Sequence, residues 1–242
     1  MTYRVVISQS MYFPWIGFLE QLRLADAFVR YDDVQYSKGS FTNRVQIKSV
    51  SGIRWLTVPL KKFKLGTTIH EVEIDDSQDW RSKHLSLLSK AYENSAYFSD
   101  MMNLVNSIFS QTFTTIADLA FASQQKLCDY FDLNPMLKIM DIRQMNISGS
   151  SSHRVLDVVS RLQGDQYITG HGAHQYLDHD IFDAAGIDVQ YMQYKKLVYS
   201  QQHGVFTPYV SALDLVANCG KQGVSNIQSS TCNWRNFKHE ST

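Results

Sequence analysis

The opening thirty or so residues constrain the fold more than any other part of the chain. Tyr3 to Ser8 is a short β-branched run and reads as a strand. The loop Gln9-Ser10-Met11-Tyr12-Phe13-Pro14-Trp15 follows it. Pro14 suits the first turn of a helix, where its missing N–H is not needed. Ile16, Leu19, Leu22 and Leu24 then lay down a helical stripe, and Ala27 to Tyr31 reads as a second strand. Strand, helix and strand in about thirty residues make a βαβ unit.

Beyond it, Phe41 to Lys48 and Arg54 to Leu60 predict two strands joined at Ser51-Gly52, with Arg44, Gln46 and Lys48 alternating against Val45 and Ile47. Ile69 to Ile74 is a further candidate strand. From Trp80 to Phe131 the period becomes helical. His84, Leu87, Leu88 and Ala91 share one face, and Met101, Leu104, Val105, Ile108 and Phe109 another. Thr115 and Asp118 have capping-box spacing, with Asp in place of the usual Glu. Asn146 to Ser152 reads as a linker, His153 to Leu162 as a helix, and Gln166 to Thr169 as a strand before the turn Gly170-His171-Gly172-Ala173. Ile187 to Tyr194 alternates as a strand. Thr207-Pro208 starts a last helix to Asn218, which Gly220 ends. The polar tail after Gly223 is expected to fray. The expected fold is α/β: a mixed sheet with a βαβ N-terminal unit and a helical middle section. Its two parts, 1–145 and 146–242, are expected to form one compact unit.

Charge narrows the function. Lys plus Arg equal Asp plus Glu at 23 each, so the net charge is +0. A general nucleic-acid or membrane-surface binder needs a positive field, and neither is expected. The apolar run at the start is too short for a signal segment, and no stretch reaches membrane-spanning length, so a cytoplasmic protein is expected. The 3 cysteines, Cys128, Cys219 and Cys232, form no CxxC, which fits reduced thiols better than disulfides or structural zinc. The 13 Tyr, several of them in turn-like segments, offer stacking area plus a hydroxyl for a sugar or a base.

Five segments are candidates for chemistry. The first is Gln9 to Gly17, since a loop after a first strand that opens a helix is where α/β proteins bind phosphates and nucleotides. It lacks GxGxxG and the Walker pattern, and the plain alternative is that Phe13 and Trp15 anchor the helix. The second is Asp32-Asp33 with Gln35, at a strand end. Adjacent residues point to opposite faces, so the two carboxylates should not act as a pair; one can be a base while the other caps the turn. The third is Arg44 with Asn43, Lys48, Arg54, Lys61 and Lys62, where an Arg inside an alternating strand can clamp a diphosphate. Lys61-Lys62-Phe63-Lys64 reads more simply as a solvated loop.

Histidines are the fourth: His70, His84, His153, His171, His174, His179, His203 and His239 are scattered. His171 and His174 can share a ligand, but without a third partner no metal site is expected; His171 or His203 is the better general base. The fifth is Asp214, four residues before Asn218, flanked by leucines and therefore in need of a buried partner such as a His. Cys219 beyond it lacks a nucleophile signature.

Together these segments resemble the WbqC-like family. The resemblance is carried by Gln9-Ser10-Met11-Tyr12-Phe13-Pro14-Trp15-Ile16-Gly17, by Ala25 to Gly39 including Tyr31-Asp32-Asp33-Val34-Gln35-Tyr36, and by Asn43-Arg44 and Trp55-Leu56-Thr57-Val58-Pro59. Tyr167-Ile168-Thr169-Gly170-His171-Gly172-Ala173, Tyr176-Leu177, Gly186-Ile187 and Leu213-Asp214-Leu215 continue it. Ser10 departs from the pattern, which calls for Pro there. The resemblance implies an enzyme group encoded with O-antigen and capsule genes, and a transferase that acylates or aminoacylates the amino group of a nucleotide-linked amino sugar. It implies no permanently bound cofactor, an acyl thioester donor on CoA or an acyl carrier protein, and a nucleotide-activated amino sugar as partner. The roles expected are a base at Asp32, Asp33 or His171, a diphosphate contact at Arg44, and sugar contacts at Gln9, Tyr12, Trp15, Gln35 and Gly170, with Asp214 in support. The rivals are a non-catalytic sugar-nucleotide-binding or scaffold protein and, more weakly, a HIGH-like nucleotidyl transferase needing Mg²⁺ and a nucleoside triphosphate.

Overall fold

A computed structural model describes residues 2–238; His239 lies outside them. The opening unit forms as expected: β1 (Arg4–Ser8), α1 (Ile16–Leu24), β2 (Ala27–Arg30), with β1 and β2 parallel. The ribbon β3 (Arg44–Ser49) and β4 (Gly52–Thr57) is an antiparallel pair with its own register. The helical section is α2 (Trp80–Tyr92), α3 (Phe98–Phe109) and α4 (Ile116–Phe131). Thr115 accepts the Asp118 N–H at the start of α4, as its spacing foretold. Then come β5 (Lys138–Asp141), α5 (Ser151–Arg161), β6 (Gln166–Thr169), α6 (His179–Ala184), β7 (Asp188–Tyr194), α7 (Ala212–Cys219) and β8 (Ser229–Asn233).

The main sheet has the order β5-β2-β1-β6-β7-β8. Its first five strands are parallel and β8 runs antiparallel to β7. Alternate side chains leave a strand on opposite faces, and the core divides accordingly. Val6, Phe28, Ile168 and Met192 pack with α1, α4 and α7 on one face. Val5, Ile7, Val29, Tyr167 and Val189 pack with α5 and α6 on the other. This is a three-layer α/β arrangement. The position 145/146 falls between β5 and α5, and β1 pairs with β6 across it, so both parts of the chain contribute strands to one sheet.

Four local expectations are corrected. Ile69 to Ile74 is not a strand: Ile69–Glu71 is a 3-10 turn closed by a Thr68–Glu71 capping box. Leu87 is exposed rather than on the buried face of α2. The last helix starts at Ala212, capped by Ser211, and not at Thr207-Pro208. The tail after Gly223 is ordered into a 3-10 turn and β8, because β7 offers an unpaired edge for it. Among the described residues no helix is long and apolar enough to cross a membrane.

Candidate functional site

The strand order fixes where a ligand can enter. From β1 the chain steps outward through β2 to β5, then returns to the far side of β1 as β6 and β7. The loops after β1 and β6 therefore diverge, and the crevice between them at the carboxyl ends of the strands is the switch point at which open α/β sheets bind ligands. Residues 9–15 and 170–175 flank it.

The first loop is held rigidly. Asp32, 2% exposed, accepts the Ser10 N–H at 2.8 Å and the Ser10 hydroxyl at 2.6 Å, and Arg30 Nη2 lies 3.2 Å from the same carboxylate. Burial nevertheless pushes the Asp32 pKa up. Proline at position 10 would have no N–H to give this carboxylate, so the departure at Ser10 has a structural use. Phe13 sits at φ 38°, a strained value for a side-chain-bearing residue. Its N–H donates to Ser123 Oγ at 2.8 Å and its carbonyl accepts from Ser211 Oγ at 2.7 Å. The indole of Trp15 folds back over Gly17, where a Cβ would come within 2.3 Å of the ring.

On the other side of the switch point, Trp15 lies 4.9 Å from the Tyr194 ring and His171 lies 5.0 Å from it. The Tyr194 hydroxyl would stand 3.2 Å from a Cβ at Gly170. His171 Nε2 meets the Met192 carbonyl at 2.7 Å. A carbonyl can only accept, so Nε2 carries the hydrogen, and in the neutral ring Nδ1 keeps the lone pair. A small pocket opens beside these rings, lined by Trp15, Gly17, Glu20, Tyr194, Lys196 and Phe206. Glu20 accepts from the Ser229 hydroxyl, and burial raises its pKa.

The expected residues are distributed as follows. Trp15, Gly170 and His171 come together around Tyr194, with Gln9 half-buried on the neighbouring loop. Asp32 and Asp33 take separate partners: Arg154 on α5 grips Asp33 with Nη1 at 3.1 Å from Oδ1, and its guanidinium stands 5.0 Å over the Tyr31 ring. Gln35 is exposed and bridges to Thr68. Tyr12 is fully buried and gives its hydroxyl to His84 Nδ1 at 3.0 Å, so it belongs to the core rather than to a sugar surface. The Arg44 guanidinium donates to the Gly39 carbonyl at 2.7 Å and stacks 4.2 Å over Trp55 on the ribbon.

Asp214 is fully buried, but its partners are the hydroxyls of Tyr199 at 2.8 Å and Tyr92 at 3.0 Å, with the Asn218 amide at 3.2 Å, in place of a His. Burial raises its pKa. Burial and the nearby Asp214 raise that of Cys219, which disfavours the thiolate. His203 Nε2 ties to the Ala91 carbonyl at 2.7 Å. The rings of His171 and His174 both lie against Phe237. Among the described residues no three His, Cys, Asp or Glu side chains converge on a metal position.

Sequence reasoning missed Arg154, Tyr194 and Glu20. Tyr194 was readable as the last residue of an alternating strand. Arg154 and Glu20 looked like ordinary helix positions, and their partners lie far away in the chain.

A family model described as the WbqC-like protein family matches residues 9–226. A relative from Mycobacterium tuberculosis (strain ATCC 25618 / H37Rv), "Uncharacterized protein Rv1507c", is 29% identical over 222 residues, covering 90% of this chain and 95% of the relative. No solved structure matches the chain. The matched span starts at Gln9, the first residue of the loop that borders the crevice, and runs past β7 and α7; the chain belongs to the WbqC-like family.

Proposed function

We propose that the switch-point crevice binds a nucleotide-linked amino sugar and that the protein transfers an acyl group to its amine from a thioester in cell-surface polysaccharide synthesis. The observation that carries this reading is the gathering of Trp15, Tyr194 and His171 at that crevice. Aromatic rings give a sugar or a base a flat apolar contact, and a half-buried imidazole with a free lone pair supplies a base. Of the three candidate bases, His171 fits best. Asp32 is occupied by Ser10 and Arg30, and Asp33 by Arg154, whereas His171 keeps Nδ1.

The step begins when the substrate ammonium gives a proton to Nδ1. The freed nitrogen attacks the thioester carbonyl carbon, the C–N bond forms, the C–S bond breaks, and the departing thiolate takes up the second proton that the nitrogen sheds as it becomes an amide, while His171 later returns its proton to solvent. Gln9 contacts the sugar hydroxyls. The diphosphate contact is not assigned to Arg44, whose guanidinium is already spent on Gly39 and Trp55.

The test incubates the purified protein with amino-sugar nucleotides and acyl thioesters, follows thiol release and product mass, and records the melting temperature. Turnover is expected, and His171→Ala should reduce kcat by about 100-fold or more while the sugar nucleotide still raises the melting temperature. A melting shift without thiol release from any donor would instead mean a binding protein of the same pathway, and unchanged kcat in His171→Ala would remove the base.

A further inference from the structure

We propose that the outer face of the β3–β4 ribbon docks an acidic carrier protein, the one that brings the acyl thioester; the identity of the carrier rests on the transferase reading above. Between Val34 and His70 the chain has seven Lys and Arg residues and no Asp or Glu, so all 23 acids lie outside that segment. In an antiparallel pair, residues directly opposite share a face. Val45 and Leu56, with Ile47 on the same side, are buried on the face where β3 meets α2. The other face pairs Arg44 with Thr57, Gln46 with Trp55, and Lys48 with Ile53.

That outer face is apolar and unusually open. Ile53 is 44% exposed, Trp55 38% and Phe41 45%, and the Phe41 ring lies 5.8 Å from Trp55. Arg44 covers Trp55, and Lys38 stands exposed beside Gly39, whose carbonyl Arg44 holds. Lys48 donates to the Gly204 carbonyl at 3.1 Å and brings the exposed Val205 to the end of the ribbon. An aromatic and Arg centre with cations at its rim is the composition of a protein interface.

Nucleic acid is the poorer fit, because neutralising many phosphates needs many free cations. Here Lys48 is buried and Lys61 is neutralised by Glu73, which leaves a few accessible charges such as Lys38 beside Arg44: enough to meet an acidic patch on a protein, too few for a run of phosphates. Phosphates would also leave Ile53 and Val205 without a use. The face is joined to the crevice as well. The Gln46 carbonyl accepts the Ser211 N–H at 2.8 Å, Ser211 bridges to Trp15, and the Trp15 ring packs at a tilt against Tyr194 beside His171. A carrier seated on the ribbon would therefore contact the strand that borders the Ser211–Trp15 segment.

The experiment titrates fluorescently labelled holo acyl carrier protein into the full chain and follows anisotropy, with Ile53→Asp and Trp55→Ala as variants. Both positions lie on the open face and outside the core, so both variants are expected to unfold cooperatively and to keep the wild-type turnover with acyl-CoA. Ile53→Asp leaves the Arg44–Trp55–Phe41 contacts in place and is the check on any drop in melting temperature in Trp55→Ala. The expected result is saturable, salt-sensitive binding that each variant weakens by about tenfold or more. Absence of binding, equal binding by wild type and variants, or tighter variant-sensitive binding of transfer RNA or phosphatidylglycerol vesicles would overturn the proposal. Variant-sensitive carrier binding without amide formation from any thioester would sink the transferase reading and leave the docking surface standing. Amide formation from acyl-CoA with no carrier binding would do the reverse.

Discussion

Acidification should remove a defined part of this protein's stability through His84. The residue lies on α2 and is 4% exposed. Its Nε2 lies 3.2 Å from the Thr57 carbonyl and must donate, so Nδ1 accepts the Tyr12 hydroxyl at 3.0 Å. Protonating Nδ1 would put a charge in a buried site and oblige the Tyr12 hydroxyl to turn from donor to acceptor. Burial accordingly pushes the ring's pKa from 6.5 down to about 4. The folded value is below the unfolded one, so the unfolded chain takes up the proton first. The His84 contribution is therefore complete above pH 6.5 and is lost as the pH falls toward 4. At about 1.4 kcal/mol per pH unit, the full loss is about 3 kcal/mol. Glu20, Asp32 and Asp214 act in the opposite sense: their folded values are raised, so the stability they favour is present at low pH and lost as the pH rises through those values. Comparison with a variant isolates the histidine. Denaturant unfolding of wild type and His84→Gln between pH 7 and 4 should show the wild-type advantage shrinking by about 3 kcal/mol, and the ring's proton resonances should titrate near 4. A pH-independent difference, or a ring titrating near its ordinary 6.5, would refute the reasoning.

Two further substitutions probe the first loop. Gly17→Ala gains about 1 kcal/mol of helix propensity, but its methyl would stand 2.3–2.7 Å from three indole carbons of Trp15. The ring must leave its seat, at an overpacking cost of about 1–3 kcal/mol, so calorimetry should find a lower melting temperature and, on the function proposed above, titration should find weaker sugar-nucleotide binding. Ser10→Ala removes the hydroxyl that donates to Asp32 at 2.6 Å inside a buried site; a loss of about 1.5–3 kcal/mol in denaturant unfolding is expected, and an unchanged midpoint would mean that Arg30 and the remaining N–H of residue 10 satisfy that carboxylate between them.

What could be read from the sequence, and what could not, follows from how locally each feature is determined. The βαβ opening was legible because β1 and β2 are short runs of buried Val, Ile and Phe on either side of an apolar stripe. The edge strands β5 and β8 were missed because edges are half-exposed: Lys138 to Asp141 is four residues with a single apolar pair, too short for a periodic signal, Ser229 to Asn233 has the composition of a loop, and each becomes a strand only when β2 or β7 pairs with it. Ile69, Val72 and Ile74 mixed a spacing of three with a spacing of two, and the Thr68–Glu71 capping pattern was the overlooked sign of a turn. At the site, separate partners for Asp32 and Asp33 were foreseeable from their adjacency, yet Arg154 as the second partner was not, since the contact spans 121 residues. Tyr12 marks the opposite error. A tyrosine in a loop after a strand looks like a ligand contact until its depth is known, and His84, on a helix 72 residues away, is what draws it into the core. Trp15 and His171 were each legible as loop residues, but only the β1–β6–β7 pairing sets Tyr194 between them. The gathering of these three side chains is therefore a property of the strand order: a change that altered the β1–β6 register without touching any of them would dismantle the group just as a substitution within it would.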